Sequence, residues 1–267
     1  MTDRLADTLA RLPVFAPGHV WLAGAGPGDP GLLTLHAIGG LAQADVVVHD
    51  ALVDPRVLAL AQPGAVLEFA GKRGGKPSPP QADITLRLIA LARDGKRVLR
   101  FKGGDPCMFG RGGEEALALA AAGIPFRIVP GVTSGLAALT MASIPATCRG
   151  VNRALILVTG QSEEDDGFDW GALARTGQPI VLYMGLRNLG AIAAALIAGG
   201  LAPGTPAAVI ASATLPEERI LVSELQRVAA EATALNLEPP AIIAIGAIVA
   251  IRAELLALAR RVPELVA

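Results

Sequence analysis

Short apolar runs alternate with longer Ala- and Leu-rich segments from about residue 19 onward. The runs are rich in Val, Ile and Leu, which is typical of strands buried on both faces. Glycine and proline separate them from the helical segments, as expected for an α/β layer fold. In the first half of the chain, the pattern predicts strands at 19–24, 45–49, 65–70, 97–102 and 125–129.

Helical segments in that half cover 81–93 and 113–122, and Asp54-Pro55 is expected to open a short helix with Asp as its cap. In the second half, we predict strands at 154–159, 179–184, 207–213, 219–222 and 241–245. Ser223-Glu-Leu-Gln226 matches a capping box for a helix.

This pattern predicts two α/β domains. Residues 16–130 form the N-terminal domain, 131–152 form a helical connection, and 153–260 form the C-terminal domain.

Composition narrows the class of protein. The 267 residues are 52% apolar and 18% charged, so we expect a folded chain. The net charge of −1 and the scarcity of aromatic residues disfavour nucleic acid as a partner.

The longest apolar run, 241–251, is too short to span a membrane, and we do not expect the charged start to be a signal peptide. The only cysteines, Cys107 and Cys148, predict no disulfide framework or zinc site, which suits the cytoplasm.

The first strand is followed by Gly24-Ala-Gly-Pro-Gly-Asp-Pro30. Such glycines either let backbone approach a ligand or form a structural turn, and the sequence leaves both open. The spacing departs from the dinucleotide fingerprint G-x-G-x-x-G, which disfavours a nicotinamide oxidoreductase. Asp50 ends the second strand, where it either initiates a turn or contacts a ligand.

Two glycine-rich segments carry basic residues. Lys72, Arg73 and Lys76 lie in a loop beyond a strand end, and form either a solvated basic loop or a lid over an anion. In the segment 102–115, Glu114 and Glu115 complement the dipole of the following helix. Arg111 opposes that dipole, so helix stability does not explain it. An anionic ligand shared between its guanidinium and the helix amides would explain it.

Together these motifs resemble the tetrapyrrole methylase family. The resemblance runs from about residue 18 to residue 252. It rests on GAGPGDPGLLTLHA (24–37), VVVHDALV (46–53), GKRGGK (71–76), QADI (81–84), FKGGDP (101–106), FGRGGEE (109–115), GIPFRIVPGVTS (123–134) and YMG (183–185). GKRGG and FGRGGEE are typical of the uroporphyrinogen-III C-methyltransferase branch, whose product is precorrin-2.

The resemblance implies a homodimer of two α/β domains, with S-adenosyl-L-methionine (SAM) bound in a cleft between the domains. It implies methylation of a small-molecule tetrapyrrole, with S-adenosyl-L-homocysteine (SAH) released. Asp50 and Lys72 fall on positions proposed for proton acceptor and donor, and Arg111, Glu114 and Arg149 on positions for substrate binding or catalysis. The residues expected around SAM are Pro27, Gly103, Gly104, Asp105, Met108, Thr133, Ser134, Met184, Ala213 and Ala241.

The residues suit this chemistry. A sulfonium methyl needs an in-line carbon nucleophile, so positioning is a large part of catalysis. Attack by a pyrrole carbon leaves positive charge on the ring nitrogen, which a carboxylate can stabilise and deprotonate. Asp50 and Glu114 are both candidates for that carboxylate. The cations would bind the substrate's carboxylates, and no metal is required.

The chain departs from the family pattern at three positions. Cys107 replaces a usual aromatic residue, and Cys148 and Gln161 replace usual histidines. Two other functions therefore stay open: a later corrin-ring methylase of the same fold, or a non-catalytic tetrapyrrole-binding subunit. The sequence does not choose among cobalamin, sirohaem and haem d1 as end product.

Overall fold

The computed structural model describes residues 7, 8, 10–71, 81–161 and 167–259. The chain divides into two compact units. We call Met1–Ser134 the N-terminal unit and Gly135–Ala267 the C-terminal unit.

The described part of the N-terminal unit contains a parallel five-stranded sheet in the order β3-β2-β4-β1-β5. Its strands are β1 Val20–Gly24, β2 Val46–His49, β3 Val66–Phe69, β4 Val98–Lys102 and β5 Phe126–Val129. Its helices are α1 Leu35–Leu41, α2 Pro55–Leu58, α3 Gln81–Arg93 and α4 Gly112–Ala121, with a 3₁₀ turn at Pro30–Leu32. The predicted cap of α2 is confirmed, because the side chain of Asp54 accepts a hydrogen bond from the amide of Arg56.

Both faces of this sheet are covered by apolar packing. Trp21, Val47 and Leu99 belong to the core on one face. Their strand neighbours Leu22 and Val48 belong to the core on the other face. Because successive strand residues point to opposite faces, burial on both sides requires the near-continuous apolar runs seen in the sequence.

The C-terminal unit contains a mixed five-stranded sheet in the order β6-β7-β10-β8-β9 among its described residues. The strands are β6 Ile156–Thr159, β7 Ile180–Tyr183, β8 Pro206–Ala211, β9 Arg219–Glu224 and β10 Ala241–Ile245. β6 and β7 are parallel, and the other pairs are antiparallel. The helices are α5 Ser134–Met141, which starts at the division between the units, α6 Trp170–Arg175, α7 Leu189–Ala198, α8 Val228–Ala234 and α9 Ile248–Ala259.

The predicted capping box at 223–226 is wrong. Ser223 and Glu224 are the last residues of β9, where Glu224 pairs with Pro206 of β8. Helix α8 begins only at Val228, and its N-cap residue Arg227 makes no side-chain capping bond. Pairing with β8 therefore overrides the local capping signal.

Helix α5 occupies the first part of the segment 131–152, which then continues in turns and bends. Among the described residues, no helix has the length and apolar character needed to cross a membrane.

Candidate active site

Three glycines of the N-terminal unit meet where neighbouring parallel strands end. Gly24 closes β1, Gly104 follows β4 and Gly131 follows β5. A Cβ on Gly24 would lie 2.4 Å from the carbonyl oxygen of Gly104, and one on Gly131 would lie 2.2 Å from the same oxygen. The contacts are backbone against backbone, so side chains are excluded at these positions. Gly24 of the first turn thus has a structural role, and ligand contact by that turn stays a prediction.

Asp105 ties two of these loops together. Its Oδ1 accepts a hydrogen bond from the amide of Cys107 at 2.8 Å, and its Oδ2 accepts one from the amide of Gly131 at 3.0 Å. A Cβ on Gly104 would lie 3.1 Å from the hydroxyl of Ser134 and 3.9 Å from the Cα of Thr133. The structure therefore brings the predicted SAM segments 103–105 and 133–134 together.

The other predicted SAM residues of this unit belong to the same loops. Pro27 follows Gly26, whose amide donates to the carbonyl oxygen of Gly104 at 3.2 Å. Met108 lies in the turn after Asp105, and its amide donates to the carbonyl oxygen of Asp105 at 3.3 Å. All of these loops follow the carboxyl ends of parallel strands, where open α/β sheets bind ligands.

Asp50 is half-buried just after β2. Its Oδ1 accepts a hydrogen bond from the amide of Leu52 at 2.9 Å, and its Oδ2 accepts one from the amide of Gly103 at 3.3 Å. The first bond fits the turn-forming interpretation. The second places the carboxylate against the predicted SAM segment. The proton-acceptor role of Asp50 stays a prediction.

Arg111 and Glu114 form an exposed ion pair at the start of α4. The guanidinium Nη2 lies 2.7 Å from the Glu114 carboxylate, and Nε lies 3.0 and 3.1 Å from its two oxygens. These side-chain bonds hold the pKa of Glu114 below its ordinary value. The ion pair corrects one expectation from the sequence, because Glu114 gives Arg111 a structural partner that needs no ligand.

Glu115 has a role that the sequence did not indicate beyond its place near the helix dipole. It is completely buried. Its Oε1 lies 3.0 Å from Nε of Arg100 and 3.4 Å from Nζ of Lys102, and both of these β4 side chains are buried too. The pKa of Lys102 lies below its ordinary value. Burial is the main cause and the charge of Arg100 is the second, whereas Glu115 raises the pKa.

A signal for this cluster was present in the sequence. Arg100 and Lys102 occupy alternate positions of β4, a strand that is otherwise apolar and lies inside the sheet. Buried charges are retained only when they are paired, so two basic residues on one face of such a strand predict an acidic partner nearby.

In the C-terminal unit, the predicted SAM residues lie at one edge of the sheet. Tyr183, which precedes Met184, pairs with Ile242, and Ala241 pairs with Ala211 of β8. Met184 and Ala213 therefore follow strands that end beside the start of β10.

The backbone at this edge is strained. Met184 has a φ of 53°, and the two residues that flank Ala213 have φ values of 50° (Ser212) and 71° (Thr214). Left-handed backbone costs a residue other than glycine about 1–3 kcal/mol and is concentrated at functional sites. The strain supports a ligand site here, and SAM contact with these residues stays a prediction.

Tyr183, which the sequence did not single out by itself, joins this edge to α5. The amide of Gly135 donates to the Tyr183 hydroxyl at 3.1 Å. A Cβ on Gly135 would lie 2.2 Å from that hydroxyl oxygen. The start of α5 and the end of β7 are thus fixed to each other within the C-terminal unit.

Arg149 is exposed on a tight turn of the C-terminal unit. Asn152 organises the turn, because its Oδ1 accepts from the amide of Cys148 at 2.8 Å and its amide nitrogen donates to the carbonyl oxygens of Ala146 and Ala154. Sequence reasoning did not identify Asn152.

The predicted proton donor Lys72, together with Arg73 and Lys76, lies outside the described residues. Within the described ranges, no group of three or more His, Cys, Asp and Glu side chains could hold a metal ion.

Comparison with known proteins places these features in a family. A family model described as tetrapyrrole (corrin/porphyrin) methylases matches residues 19–229. The uroporphyrinogen-III C-methyltransferase of a Sinorhizobium species is 55% identical over 252 residues, which cover 93% of this chain and 90% of that protein. The protein of the same name from Pseudomonas aeruginosa is 49% identical over 229 residues, with 86% of this chain and 93% of that protein covered.

A solved structure is also similar. The uroporphyrin-III C-methyl transferase of Thermus thermophilus, crystallised with S-adenyl homocysteine, matches with a TM-score of 0.76 and 39% identity. The match covers 87% of this chain and 99% of that one.

Proposed function

The chain belongs to the tetrapyrrole (corrin/porphyrin) methylase family, and from this premise we propose that it is a SAM-dependent uroporphyrinogen-III C-methyltransferase. It methylates uroporphyrinogen III twice in succession and forms precorrin-2 and SAH. The observation that carries the proposal is the similarity to two proteins of that name over 86% or more of this chain.

We propose that SAM is held by the residues that the family resemblance indicates. These are Pro27, Gly103, Gly104, Asp105, Met108, Thr133, Ser134, Met184, Ala213 and Ala241. Support comes from the strained backbone at the strand ends, which can offer main-chain groups to such a ligand. SAM supplies a methyl group on a positively charged sulfur, which a carbon nucleophile can accept without a metal.

The charged residues then divide between substrate binding and proton transfer. Arg111, Arg149 and Lys72 are suited to the substrate's carboxylates, because charge-assisted bonds to carboxylates are strong. Asp50 or Glu114 accepts the proton that a pyrrole nitrogen loses after methylation of the neighbouring carbon. Lys72 is the proposed proton donor.

We further propose that the enzyme works in the cytoplasm as a homodimer, with 131–152 as the connection between the domains 16–130 and 153–260. Two free cysteines, Cys107 and Cys148, suit a reducing compartment. Light scattering should give a mass about twice 27.2 kDa, and a monomer at working concentrations would contradict the dimer.

The function is tested by anaerobic incubation of the protein with uroporphyrinogen III and SAM, followed by mass measurement of the product. The expected product has gained two methyl groups. In a control reaction without SAM, the tetrapyrrole should gain no methyl group. Folded protein that binds the tetrapyrrole but adds no methyl group would support the binding-subunit alternative. Activity only on a corrin intermediate would support a later methylase.

A further inference from the structure

A cluster of buried polar side chains lies beside the proposed substrate residues, and none of the roles proposed above involves it. It consists of the buried Arg100, Lys102 and Glu115 together with the half-buried Gln81, and we call it the Glu115 cluster. Glu115 is fully buried, and the side chains of Arg100 and Lys102 are 3% and 6% exposed. Burying an ionised group is costly unless it is paired, so a cluster of this kind calls for a reason.

One carboxylate oxygen holds the cluster together. Oε1 of Glu115 accepts from Nε2 of Gln81 at 2.8 Å, from Nε of Arg100 at 3.0 Å and from Nζ of Lys102 at 3.4 Å. The second oxygen, Oε2, is buried and has no hydrogen-bond partner among the described residues. The bonds therefore converge on a single point between α3, α4 and β4.

Each of these elements leads directly to a proposed functional residue. Glu115 lies in the first turn of α4 together with Glu114, and Arg111 is the N-cap residue of that helix. Lys102 is followed by the SAM segment 103–105. Gln81 opens α3 and lies nine positions after Lys72 in the sequence.

The cluster also contacts β2. Nη1 of Arg100 donates to the carbonyl oxygen of Val48 at 3.3 Å. Val48 lies two residues before Asp50, whose carboxylate accepts from the amide of Gly103. The carboxyl ends of β2 and β4 are thus connected both through the cluster and through Asp50.

We propose that Glu115 is a positioning residue for methyl transfer. It holds the first turn of α4, and with it the Arg111–Glu114 pair, in register with Asp50 and the end of β4. The inference rests on the proposed function. Glu115 does not contact the reacting atoms in this role, since it is completely buried.

The charge balance explains why a carboxylate is needed. Arg100 and Lys102 bring two positive charges, and within the described ranges Glu115 is the one acid that is buried. Asp50 also favours the charged form of Lys102, though less than Glu115 does. Without the charge on Glu115, two buried cations would compete for Asp50 and Glu114, and the first turn of α4 would lose its anchor.

The primary test compares Glu115→Gln with wild type. The amide keeps the shape of the side chain and one acceptor oxygen but loses the charge. We expect kcat to fall about ten- to hundredfold, since a displacement of about 1 Å can cost that much. The SAH dissociation constant from calorimetry should stay within about threefold, or under about 0.7 kcal/mol.

Asp45→Asn is the matched control. Asp45 connects the same two strands at their opposite end, where Oδ2 accepts from the amide of Arg97 at 2.7 Å and Oδ1 lies 3.4 Å from its guanidinium. Loss of this carboxylate should leave kcat within about twofold of wild type. If Glu115→Gln also stays within that range, the positioning role is wrong.

A charge-balanced double variant separates positioning from simple packing. Lys102→Met in the Glu115→Gln background removes one of the uncompensated cations, so kcat should recover about tenfold over Glu115→Gln alone. If Glu115 only packs α4, the two losses should multiply, and that result would overturn the inference.

If Glu115→Gln does not fold, Gln81→Met takes its place, because it removes one donor and keeps every charge. Its kcat should fall about three- to tenfold with SAH affinity retained, and a value equal to wild type would contradict the inference. Wild-type protein that methylates no tetrapyrrole would instead refute the proposed function. An active wild type with fully active variants would refute the positioning role alone.

Discussion

Arg111 has a left-handed backbone, with a φ of 60°, at the N-cap of α4. This conformation costs a residue other than glycine about 1–3 kcal/mol. The residue makes no side-chain capping bond, and its guanidinium is held instead by Glu114, with both side chains more than half exposed. An exposed ion pair of this kind contributes little to stability. We predict that Arg111 exchanges Glu114 for a substrate carboxylate when the substrate binds.

Arg111→Ala should reduce turnover of uroporphyrinogen III about ten- to hundredfold, because a lost charge-assisted hydrogen bond costs about 1.5–3 kcal/mol. SAH affinity, measured by calorimetry, should be retained. Arg227→Ala is the control, since Arg227 is also exposed and pairs with Glu224 and Glu231. Equal rates for Arg111→Ala and wild type would show that Arg111 has only its structural role.

Cys148 and Gln161 replace two histidines that are usual in the family. Both positions are fixed through backbone amides, which donate to Oδ1 of Asn152 and to the hydroxyl of Thr159. The double variant Cys148→His, Gln161→His should therefore change the rate less than about tenfold, or roughly 1.4 kcal/mol of barrier. The wild-type pH–rate profile should show no limb near about pH 6.5 that depends on these positions. A hundredfold gain in the double variant would indicate an impaired or repurposed methylase.

At the scale of elements, the ends of β1, β4 and β5 are packed through glycine backbone. A Cβ on Gly131 would lie 2.8 Å from the Cα of Gly24 as well as against Gly104. Because backbone atoms cannot give way as a flexible side chain can, the added methyl group forces the strand ends apart.

Gly131→Ala should therefore lower the free energy of unfolding by about 1–3 kcal/mol, the usual cost of overpacking. Gly113→Ala is the comparison variant, because nothing lies within 4 Å of its added Cβ. Its unfolding free energy should stay within about 1 kcal/mol of wild type. Urea denaturation measures both, and equal stability of the two variants would rule out close packing of these loops.

Strand β4 gives stability a distinctive pH dependence. The pKa of Lys102 in the folded protein lies below its ordinary value of 10.5, chiefly because of burial. Between the lowered pKa and 10.5, the unfolded chain holds a proton that the folded chain has released. The free energy of unfolding contributed by Lys102 therefore rises with pH in that window and is constant below it.

Urea unfolding of wild type and Lys102→Met, followed from neutral pH to 10.5, tests this sign. The stability of wild type relative to the variant should increase with pH. The subtraction removes the other groups that titrate in this range. A constant or falling difference would show that burial does not destabilise the charged lysine.

The elements of the N-terminal unit could be predicted because a parallel sheet buried on both faces imposes long apolar runs. The antiparallel pairing in the C-terminal unit could not be predicted in the same way. A buried strand such as β10 is apolar whether its neighbours run parallel or antiparallel to it. Tertiary packing therefore decides that β10 pairs with β7 and β8. The capping motif at 223–226 failed for the same reason, since pairing of β9 outweighed a local preference.

Part of the site could be predicted from the sequence, and part could not. Glycine-rich motifs after strands identified loops that the structure brings together, as with Gly104 and Ser134. The burial of Glu115 was not predicted, because an acid in a first helical turn usually faces solvent. Its burial depends on pairing with Arg100 and Lys102 of β4. Those residues are 15 and 13 positions away in the sequence, and the folding of the sheet and α4 brings them into contact with Glu115.

For the whole molecule, the net charge of −1 gives no general attraction for a polyanionic substrate. Recognition must then come from local cations, and Arg111 and Arg149 are exposed in the described residues.

In the proposed reaction, this chain attaches methyl groups from SAM to ring carbons of a tetrapyrrole. The decisive experiment is an anaerobic reaction of uroporphyrinogen III with SAM that carries carbon-13 in its methyl group, followed by carbon NMR of the product. We predict two labelled methyl groups, each bonded to a quaternary carbon, on adjacent rings. Label on nitrogen or oxygen, or no incorporation by folded protein that binds SAH, would show that the protein is not a ring-carbon methyltransferase.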